Sequence, residues 1–253
     1  MTTSPKLRWY HFSLLAMLVL MIIACIPLVW LAYERNEVAK RAAAVGAIRK
    51  LGARLEFDSS RPQRPHWLQG LLDDRSTGDV VEVLFFRGNV TDADLVHVAG
   101  MTKIKRLDIH GSKVTDVGMG QLATLRNLET LDLHGTQVTN AGLTHLTGLK
   151  KLKRLYLYDT QITDAGLIHL AGLAELEHLD LSRTPTTDYG LAHLAGLAEL
   201  RSLYLYNNHV TDKGISHLAG NQKLDLLYLY GTQVTDEGII ELRKTLPTVR
   251  IKQ

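Results

Sequence analysis

The sequence predicts an α/β fold in which a solenoid of short repeats follows one membrane-spanning helix. Between residues 80 and 247 a 24-residue pattern occurs seven times, without insertion or deletion. A fixed period of this length is typical of solenoids, because each repeat buries its apolar side only against its neighbours. In every repeat a strand-like segment precedes a short helix-like segment. The register is set by seven apolar pairs: Val83/Phe85, Leu107/Ile109, Leu131/Leu133, Leu155/Leu157, Leu179/Leu181, Leu203/Leu205 and Leu227/Leu229.

The N-terminal segment carries no charged side chain from Trp9 to Tyr33. As a helix it is long enough to cross a hydrocarbon core of about 30 Å, and a membrane-spanning helix tolerates Pro27. A cleaved signal peptide is one alternative, although its apolar region normally has about 7 to 15 residues. Lipidation is another, because Ile22–Cys25 resembles a bacterial lipobox. We expect residues 1–33 to be a single-pass anchor that contacts the lipid bilayer through residues 9–33.

The segments between the anchor and the repeats predict a membrane side and a cap. Five basic residues follow the span closely and two precede it, which slightly favours a cytoplasmic repeat domain. Residues 34–52 predict a juxtamembrane helix, serving as a stalk or a dimer contact. Residues 53–79 predict an N-terminal cap, with a short strand at Arg54–Phe57 and a short helix at His66–Leu72 over the first repeat. The repeats occupy residues 80–247, and residues 248–253 form a closing strand.

Composition and motifs exclude several functional classes. The formal net charge is +3 and no long run of like charges occurs, so we expect no nucleic-acid partner. Cys25 is the only cysteine, which rules out a disulfide framework or a zinc site built on thiolates. The sequence has neither a phosphate-binding P-loop nor a G-x-S-x-G nucleophile turn. We therefore expect a protein without catalytic activity and without a cofactor.

Each repeat has a strand-and-turn half and a helical half with recognisable patterns. Residues Leu152–Ile162 match L-x-x-L-x-L-x-x-N/T-x-L, and residues Thr163–Leu173 begin with T-D-x-G-L. They resemble the leucine-rich repeat family, especially the class known from F-box adaptor proteins, and its membrane-anchored bacterial members. This resemblance implies a right-handed horseshoe with a parallel concave sheet and short convex helices. We expect Thr163 or Asp164 to cap this helix and Gly172 to end it in the left-handed conformation.

Two repeats depart from the pattern at positions that should be buried. Thr186 takes the place of a core valine or isoleucine, and Asn221 takes the place of an inward leucine. Both changes should weaken local packing, because a buried polar group costs free energy when it has no partner. We expect Thr186→Val to stabilise the domain by at most about 1 kcal/mol.

The residues that flank each apolar pair should point out from the concave face, because side chains alternate along a strand. Six of the nine tyrosines then lie on one sheet. Clustered exposed aromatic residues are enriched at binding hot spots. His178, Asp180 and Ser182 of the fifth repeat should separate the tyrosines into two clusters. The predicted binding residues are Arg106, Asp108, His110, Asp132, His134, Arg154, Tyr156, Tyr158, Asp180, Tyr204, Tyr206, Tyr228 and Tyr230.

The N-terminal part of this face suggests an alternative chemistry. Asp108 and Asp132 are neighbours on adjacent strands, as are His110 and His134, and such strands are about 4.8 Å apart. Two carboxylates and two imidazoles suit zinc or another divalent ion, which makes a metal-dependent hydrolase one alternative function. A simpler interpretation is that neighbouring arginines neutralise the aspartates.

These observations together predict a membrane-anchored, non-catalytic scaffold that binds a protein partner through the concave face. A carbohydrate receptor that uses the tyrosines is the second alternative, because aromatic rings also serve such ligands.

Overall fold

The structure, a computed structural model, describes residues 14–58, 79–86 and 88–253. Among these, residues 14–42 fall in one compact unit and the remainder fall in a second. The predicted cap helix at 66–72 lies outside the described residues.

The first element is a single long helix, α1, at Leu14–Lys50, with Pro27 inside it. Its part from Met17 onward is long and apolar enough to cross a membrane, a property that a signal sequence shares. The segments predicted separately as an anchor and a juxtamembrane helix therefore form one continuous helix.

The last turns of α1 belong to the second unit and cap the repeats. Val45 and Ile48 are buried in the core of the repeats, with Leu51 packed against it. Val45, Ile48 and Leu51, the last residues of the helical spacing that suggested a stalk or a dimer contact, thus face this core. Gly52 follows the helix with φ +83°. The next segment, strand β1 at Ala53–Phe57, pairs antiparallel with strand β2 at Val80–Phe85. The strand predicted at Arg54–Phe57 is confirmed as Ala53–Phe57.

The described part of the chain contains one sheet whose strands follow chain order from β1 to β9. Strands β2 to β9 are parallel, and each pairs in register with the next at a shift of 24 residues, as in Leu107↔Leu131 and Leu131↔Leu155. The seven predicted apolar pairs are all buried. The strands are β1 Ala53–Phe57, β2 Val80–Phe85, β3 Arg106–Asp108, β4 Thr130–Asp132, β5 Arg154–Tyr156, β6 His178–Asp180, β7 Ser202–Tyr204, β8 Leu226–Tyr228 and β9 Arg250–Lys252.

Short helices follow strands β2 to β8, and several continue as 3-10 turns. Gly172 does not adopt the left-handed conformation that the sequence suggested. The helix at Asp164–Leu167 instead tightens into a 3-10 turn at Ile168–Leu170, and Leu173 N donates to Leu170 O at 2.9 Å. The helices are α2 Val96–Ala99, α3 Asp116–Leu122, α4 Asn140–Leu143, α5 Asp164–Leu167, α6 Asp188–Leu191, α7 Asp212–Ser216 and α8 Asp236–Thr245. The other 3-10 turns are Thr144–Leu146, Ala192–Leu194 and His217–Gly220.

Neighbouring repeats are joined by a recurring set of hydrogen bonds that we call the Asp–Thr clamp. Oδ1 of Asp188 accepts a hydrogen bond from Thr211 N at 2.7 Å, and Oδ2 accepts one from Thr211 Oγ1 at 2.7 Å. Thr211 Oγ1 in turn accepts from Lys213 N at 3.3 Å, so this threonine also caps its own helix. The clamp pairs are Asp92–Thr115, Asp116–Thr139, Asp164–Thr187, Asp188–Thr211 and Asp212–Thr235.

The third residue after each clamp threonine is a glycine because the carboxylate of the preceding repeat fills the space beside it. A Cβ on Gly190 would lie 2.4 Å from Asp164 Oδ1, and one on Gly214 would lie 2.3 Å from Asp188 Oδ1. Real Cβ atoms do not approach other atoms so closely. The T-D-x-G pattern is therefore explained by contact between repeats.

One clamp differs in chemistry because an asparagine replaces the aspartate. Asn140 Oδ1 accepts from Thr163 N at 2.9 Å, while its Nδ2 donates to Thr163 Oγ1 at 2.8 Å. Thr163 is the one clamp threonine with no side-chain cap hydrogen bond. Its hydroxyl oxygen accepts from the Asn140 amide, whereas the hydroxyls of the other clamp threonines donate to a carboxylate.

The two departures from the repeat pattern both have polar partners. The hydroxyls of Thr186 and Thr184 are 2.9 Å apart, and both side chains are buried. Asn221 Nδ2 donates to Leu194 O and to Leu197 O, each at 3.0 Å. The Thr186 hydroxyl and the Asn221 amide nitrogen therefore have partners in their own or the preceding repeat. Among the described residues Asn221 Oδ1 is buried with no hydrogen-bond partner, so a cost to local packing at Asn221 stays a prediction.

Candidate functional site

The open face of the sheet consists of the side chains that strands β3 to β8 and the residues just after them turn away from the core. The structure places all thirteen predicted binding residues on it as half-buried or exposed side chains. Three other residues expected to point outward, Thr130, Ser182 and Ser202, are buried instead. Small side chains at these positions are covered by their larger neighbours.

At its N-terminal end the open face carries two aspartate–histidine pairs. His110 Nδ1 lies 2.6 Å from Asp108 Oδ1, and His134 Nδ1 lies 2.9 Å from Asp132 Oδ1. The two imidazole rings stack, with centroids 4.6 Å apart and an angle of 10° between their planes. Each carboxylate thus contacts a histidine two residues further along its own chain segment. This pairing replaces the predicted neutralisation by arginines.

Three of the four predicted metal-binding side chains converge. His110, Asp132 and His134 each offer one ligand atom, and these atoms all lie within 4.8 Å of one another. Asp108 is outside this group, and its carboxylate contacts His110. The four-ligand arrangement expected from the sequence is therefore reduced to three ligands and one supporting carboxylate.

The row of rings continues to Tyr158, just after β5, and ends at an arginine. The rings of Tyr158 and His134 meet edge to face, with centroids 6.1 Å apart and an angle of 69° between their planes. The guanidinium of Arg183 lies 5.7 Å from the centre of the Tyr158 ring, and its Nη1 donates to the tyrosine hydroxyl at 3.4 Å. Arg183 Nε is also 3.5 Å from Asp159 Oδ1. Sequence reasoning missed this arginine because it lies one residue beyond Ser182, the last position that strand alternation points outward in its repeat.

The signal that could have identified Arg183 is found at one backbone position that recurs in every repeat. Arg183 has φ 55°, like Asp159 at 55° and Asn207 at 54°, whereas the equivalent positions of other repeats are glycines such as Gly135. Residues other than glycine rarely adopt this left-handed backbone conformation, and those that do are enriched at functional sites.

At its C-terminal end the open face carries two stacked tyrosine pairs. Tyr204 and Tyr228 stack with centroids 4.7 Å apart, and Tyr206 and Tyr230 stack at 5.6 Å. Burial, assisted by the nearby Tyr228 and by the negative charge of Asp180, raises the pKa of Tyr204 above its ordinary value. Tyr230 is 61% exposed, so the second pair reaches into solvent.

Polar residues of β6 lie between the two aromatic groups. Asp180 is in register with Tyr156 on one side and Tyr204 on the other. Burial is the main cause that lowers the pKa of His178, with a smaller contribution from Arg154. The aromatic row is interrupted where Ser182 is buried.

The fold and this face define a solenoid protein whose strands present a variable surface over a constant core. A profile of the leucine-rich repeat family matches residues 102–162, 126–186 and 151–210. Residues 102–210 therefore match the leucine-rich repeat family, as the sequence pattern indicated.

Solved structures with a similar fold include two internalins from Listeria monocytogenes. One is 20% identical with a TM-score of 0.59, over 75% of this chain and 51% of the internalin. Internalin C2 is 26% identical with a TM-score of 0.52, over 73% of this chain and 84% of the internalin. This chain thus spans about half the length of the first internalin. The similarity to that structure shows the fold alone. Among curated proteins, no sequence matches the chain.

Proposed function

We propose that this chain is a membrane-anchored, non-catalytic scaffold that binds a protein partner through the open face of its sheet. Solenoids of this kind generally use such extended surfaces for binding. The observation that carries the proposal is the pair of tyrosine stacks, Tyr204–Tyr228 and Tyr206–Tyr230. Stacking fixes each ring before a partner arrives, so little side-chain entropy remains to be lost on binding.

The stacked geometry favours a protein over a carbohydrate. A sugar ring packs on the flat face of an aromatic side chain, and stacking covers one face of every ring in the two pairs. What the pairs present between them are ring edges and hydroxyl groups, which suit the apolar and polar side chains of a protein surface. A glycan array on the purified protein would reveal the carbohydrate alternative directly.

The anchor in this proposal is the apolar segment of residues 9–33, whose part from Leu14 onward lies in α1, with this segment in the lipid bilayer and the repeats in the cytoplasm. The helix passes the length and composition criteria for a membrane span. The side is proposed from the five basic residues that follow the span. A reporter fused after Gln253 that is active only outside the membrane would overturn the orientation.

The test of the binding face begins with proximity labelling from Gln253 in intact cells, which identifies neighbours in their own compartment. Purified candidates are then titrated against the chain and against the double variant Tyr204→Ala/Tyr228→Ala. Truncating one central aromatic residue commonly costs about 2 kcal/mol, which is roughly thirtyfold in affinity. We expect at least that loss for the double variant.

The matched control changes two aromatic residues on the helical side. His169 and His193 lie in the 3-10 turns on the side opposite the sheet, 24 residues apart like the two tyrosines. The variant His169→Ala/His193→Ala should bind the partner as the unmodified chain does. If this control loses binding and the tyrosine variant keeps it, the open face is not the binding surface.

A further inference from the structure

We propose that His110, Asp132 and His134 form a binding site for one divalent transition-metal ion, with Asp108 orienting His110. The three side chains come from strands β3 and β4 or the residues just after them, and each offers a ligand atom within 4.8 Å of the others. This site is separate from the tyrosine stacks, so it goes beyond the proposed protein-binding function.

The ligand types select the class of ion. Two imidazoles and one carboxylate suit zinc and its neighbours in the first transition row, whereas calcium and magnesium prefer oxygen ligands. In a tetrahedral zinc site with metal–ligand bonds of about 2 Å, the ligand atoms lie roughly 3.3 Å apart. The present spread of up to 4.8 Å closes by small rotations of the imidazole rings, which are half-exposed.

The hydrogen bonds to the aspartates prepare His110 for this role. An ionised carboxylate only accepts hydrogen bonds, so the proton between Asp108 Oδ1 and His110 Nδ1, 2.6 Å apart, lies on the ring nitrogen. Nε2 of His110 then carries the lone pair and is free to bind a cation. A carboxylate that holds the second nitrogen of a metal-binding histidine is a recurrent supporting contact.

The electrostatics of the site favour a cation and leave it accessible. Asp108 and Asp132 are direct neighbours in the sheet register, and their side chains are only 14% and 21% exposed. Two adjacent, largely buried carboxylates repel each other, and a divalent ion beside them relieves that repulsion. The side chains of His110 and His134 are 36% and 39% exposed, so an ion reaches them from solution.

The chain provides its own matched control for this inference. The histidines at positions 145, 169, 193 and 217 also repeat every 24 residues, on the helical side. Among the described residues none of them belongs to a comparable group of metal ligands. Spacing alone therefore does not create the site, and the neighbouring carboxylates on the open face distinguish it.

The experiment uses the full chain without a histidine tag, in detergent micelles and stripped of metal by a chelator. Calorimetric titration with Zn²⁺ should give one ion per chain, and Co²⁺ should produce visible absorption bands from nitrogen and oxygen ligation. His110→Ala and His134→Ala should each weaken Zn²⁺ affinity at least tenfold. Asp108→Asn should weaken it about tenfold through its supporting contact, and His169→Ala/His193→Ala should leave it unchanged.

The inference fails if a tenfold excess of Zn²⁺ gives no heat and no shift of the imidazole resonances of His110 and His134. It also fails if His110→Ala and His134→Ala are folded by circular dichroism and bind Zn²⁺ as tightly as the unmodified chain, because the ion must then bind elsewhere. Failure of these metal titrations would leave the proposed function intact, because partner binding is tested separately with the tyrosine variant.

Discussion

The two sides of each repeat differ in how much they vary along the chain. At the start of the helices the clamp threonine recurs in six successive repeats without exception, and its partner is aspartate in five of them and asparagine in one. On the open face the equivalent central position alternates between two chemically unlike residue types, aspartate and tyrosine. Its residues along β3 to β8 are Asp108, Asp132, Tyr156, Asp180, Tyr204 and Tyr228.

This difference follows from what each side contacts. The clamp residues satisfy buried or half-buried backbone groups of the neighbouring repeat, so few side chains are acceptable there. Side chains on the open face meet solvent and one another, so the fold places little restriction on them. Constancy along the chain therefore marks the residues that hold the repeats together, and variation marks the surface available for binding.

The substitution with the largest expected effect on this comparison is Gly190→Ala. The added methyl group would meet Asp164 Oδ1, which two hydrogen bonds to Thr187 hold in place. We expect a loss of about 3 kcal/mol in the free energy of unfolding, measured by chemical denaturation. Gly196→Ala is the control, because nothing lies within 4 Å of its added Cβ. Equal effects of the two changes would contradict the structural explanation of the T-D-x-G pattern.

A second test separates the shape of the clamp from its charge. Asp188→Ala leaves Thr211 N without its acceptor and should cost about 2 kcal/mol of unfolding free energy. Asp188→Asn can copy the arrangement that Asn140 makes with Thr163 and should cost less than about 1 kcal/mol. If the asparagine variant is as unstable as the alanine variant, the charge of the carboxylate matters more than its hydrogen bonds.

A third test concerns the open face and depends on pH. Burial lowers the pKa of His178 in the folded chain, so the unfolded chain takes up its proton first as the pH falls. The contribution of His178 to the free energy of unfolding is present above its unfolded pKa of about 6.5. It is lost as the pH falls from there toward the folded pKa. His178→Gln should reduce the loss of unfolding free energy between pH 8 and pH 5. An unchanged pH profile in this variant would show that the histidine titrates alike in both states.

The smallest expected effect is that of Thr186→Val. The sequence suggested stabilisation, but the hydroxyl of Thr186 bonds to that of Thr184, which also donates to Leu181 O at 2.7 Å. Replacing the hydroxyl of Thr186 removes that hydrogen bond but makes the core more apolar, and the two effects nearly cancel. We expect the free energy of unfolding to change by no more than about 0.5 kcal/mol. Chemical denaturation of the two proteins side by side measures it. A gain of about 0.5 to 1 kcal/mol would instead restore the original expectation.

The strands and the core were predictable because both follow from a period that is visible in one dimension. The alternation around Leu155 and Leu157 sets which side chains are buried, and the fixed spacing places each strand beside the next. The Asp–Thr clamp was not predictable, since it joins residues 23 positions apart whose polar atoms meet only after the repeats stack.

The details of the candidate site also depended on three-dimensional contacts. That each aspartate bonds to the histidine two residues along its own segment, rather than to an arginine, depends on side-chain rotamers. The burial of Ser182 depends on its larger neighbours, and its hydroxyl accepts from Tyr206 N at 3.2 Å. The tyrosines were found from the sequence because size and alternation alone place them.

The fixed separation within the Asp–Thr clamp has a consequence for how such a chain can evolve. One residue inserted between an aspartate and its threonine would misalign the clamp, and one inserted within a strand would turn the buried leucines outward. Duplication of a whole 24-residue segment keeps every clamp and adds one more strand to the sheet. We expect the gene to lengthen or shorten by whole repeats, so that each such step changes the area of the binding surface by one strand and leaves the rest of the fold untouched.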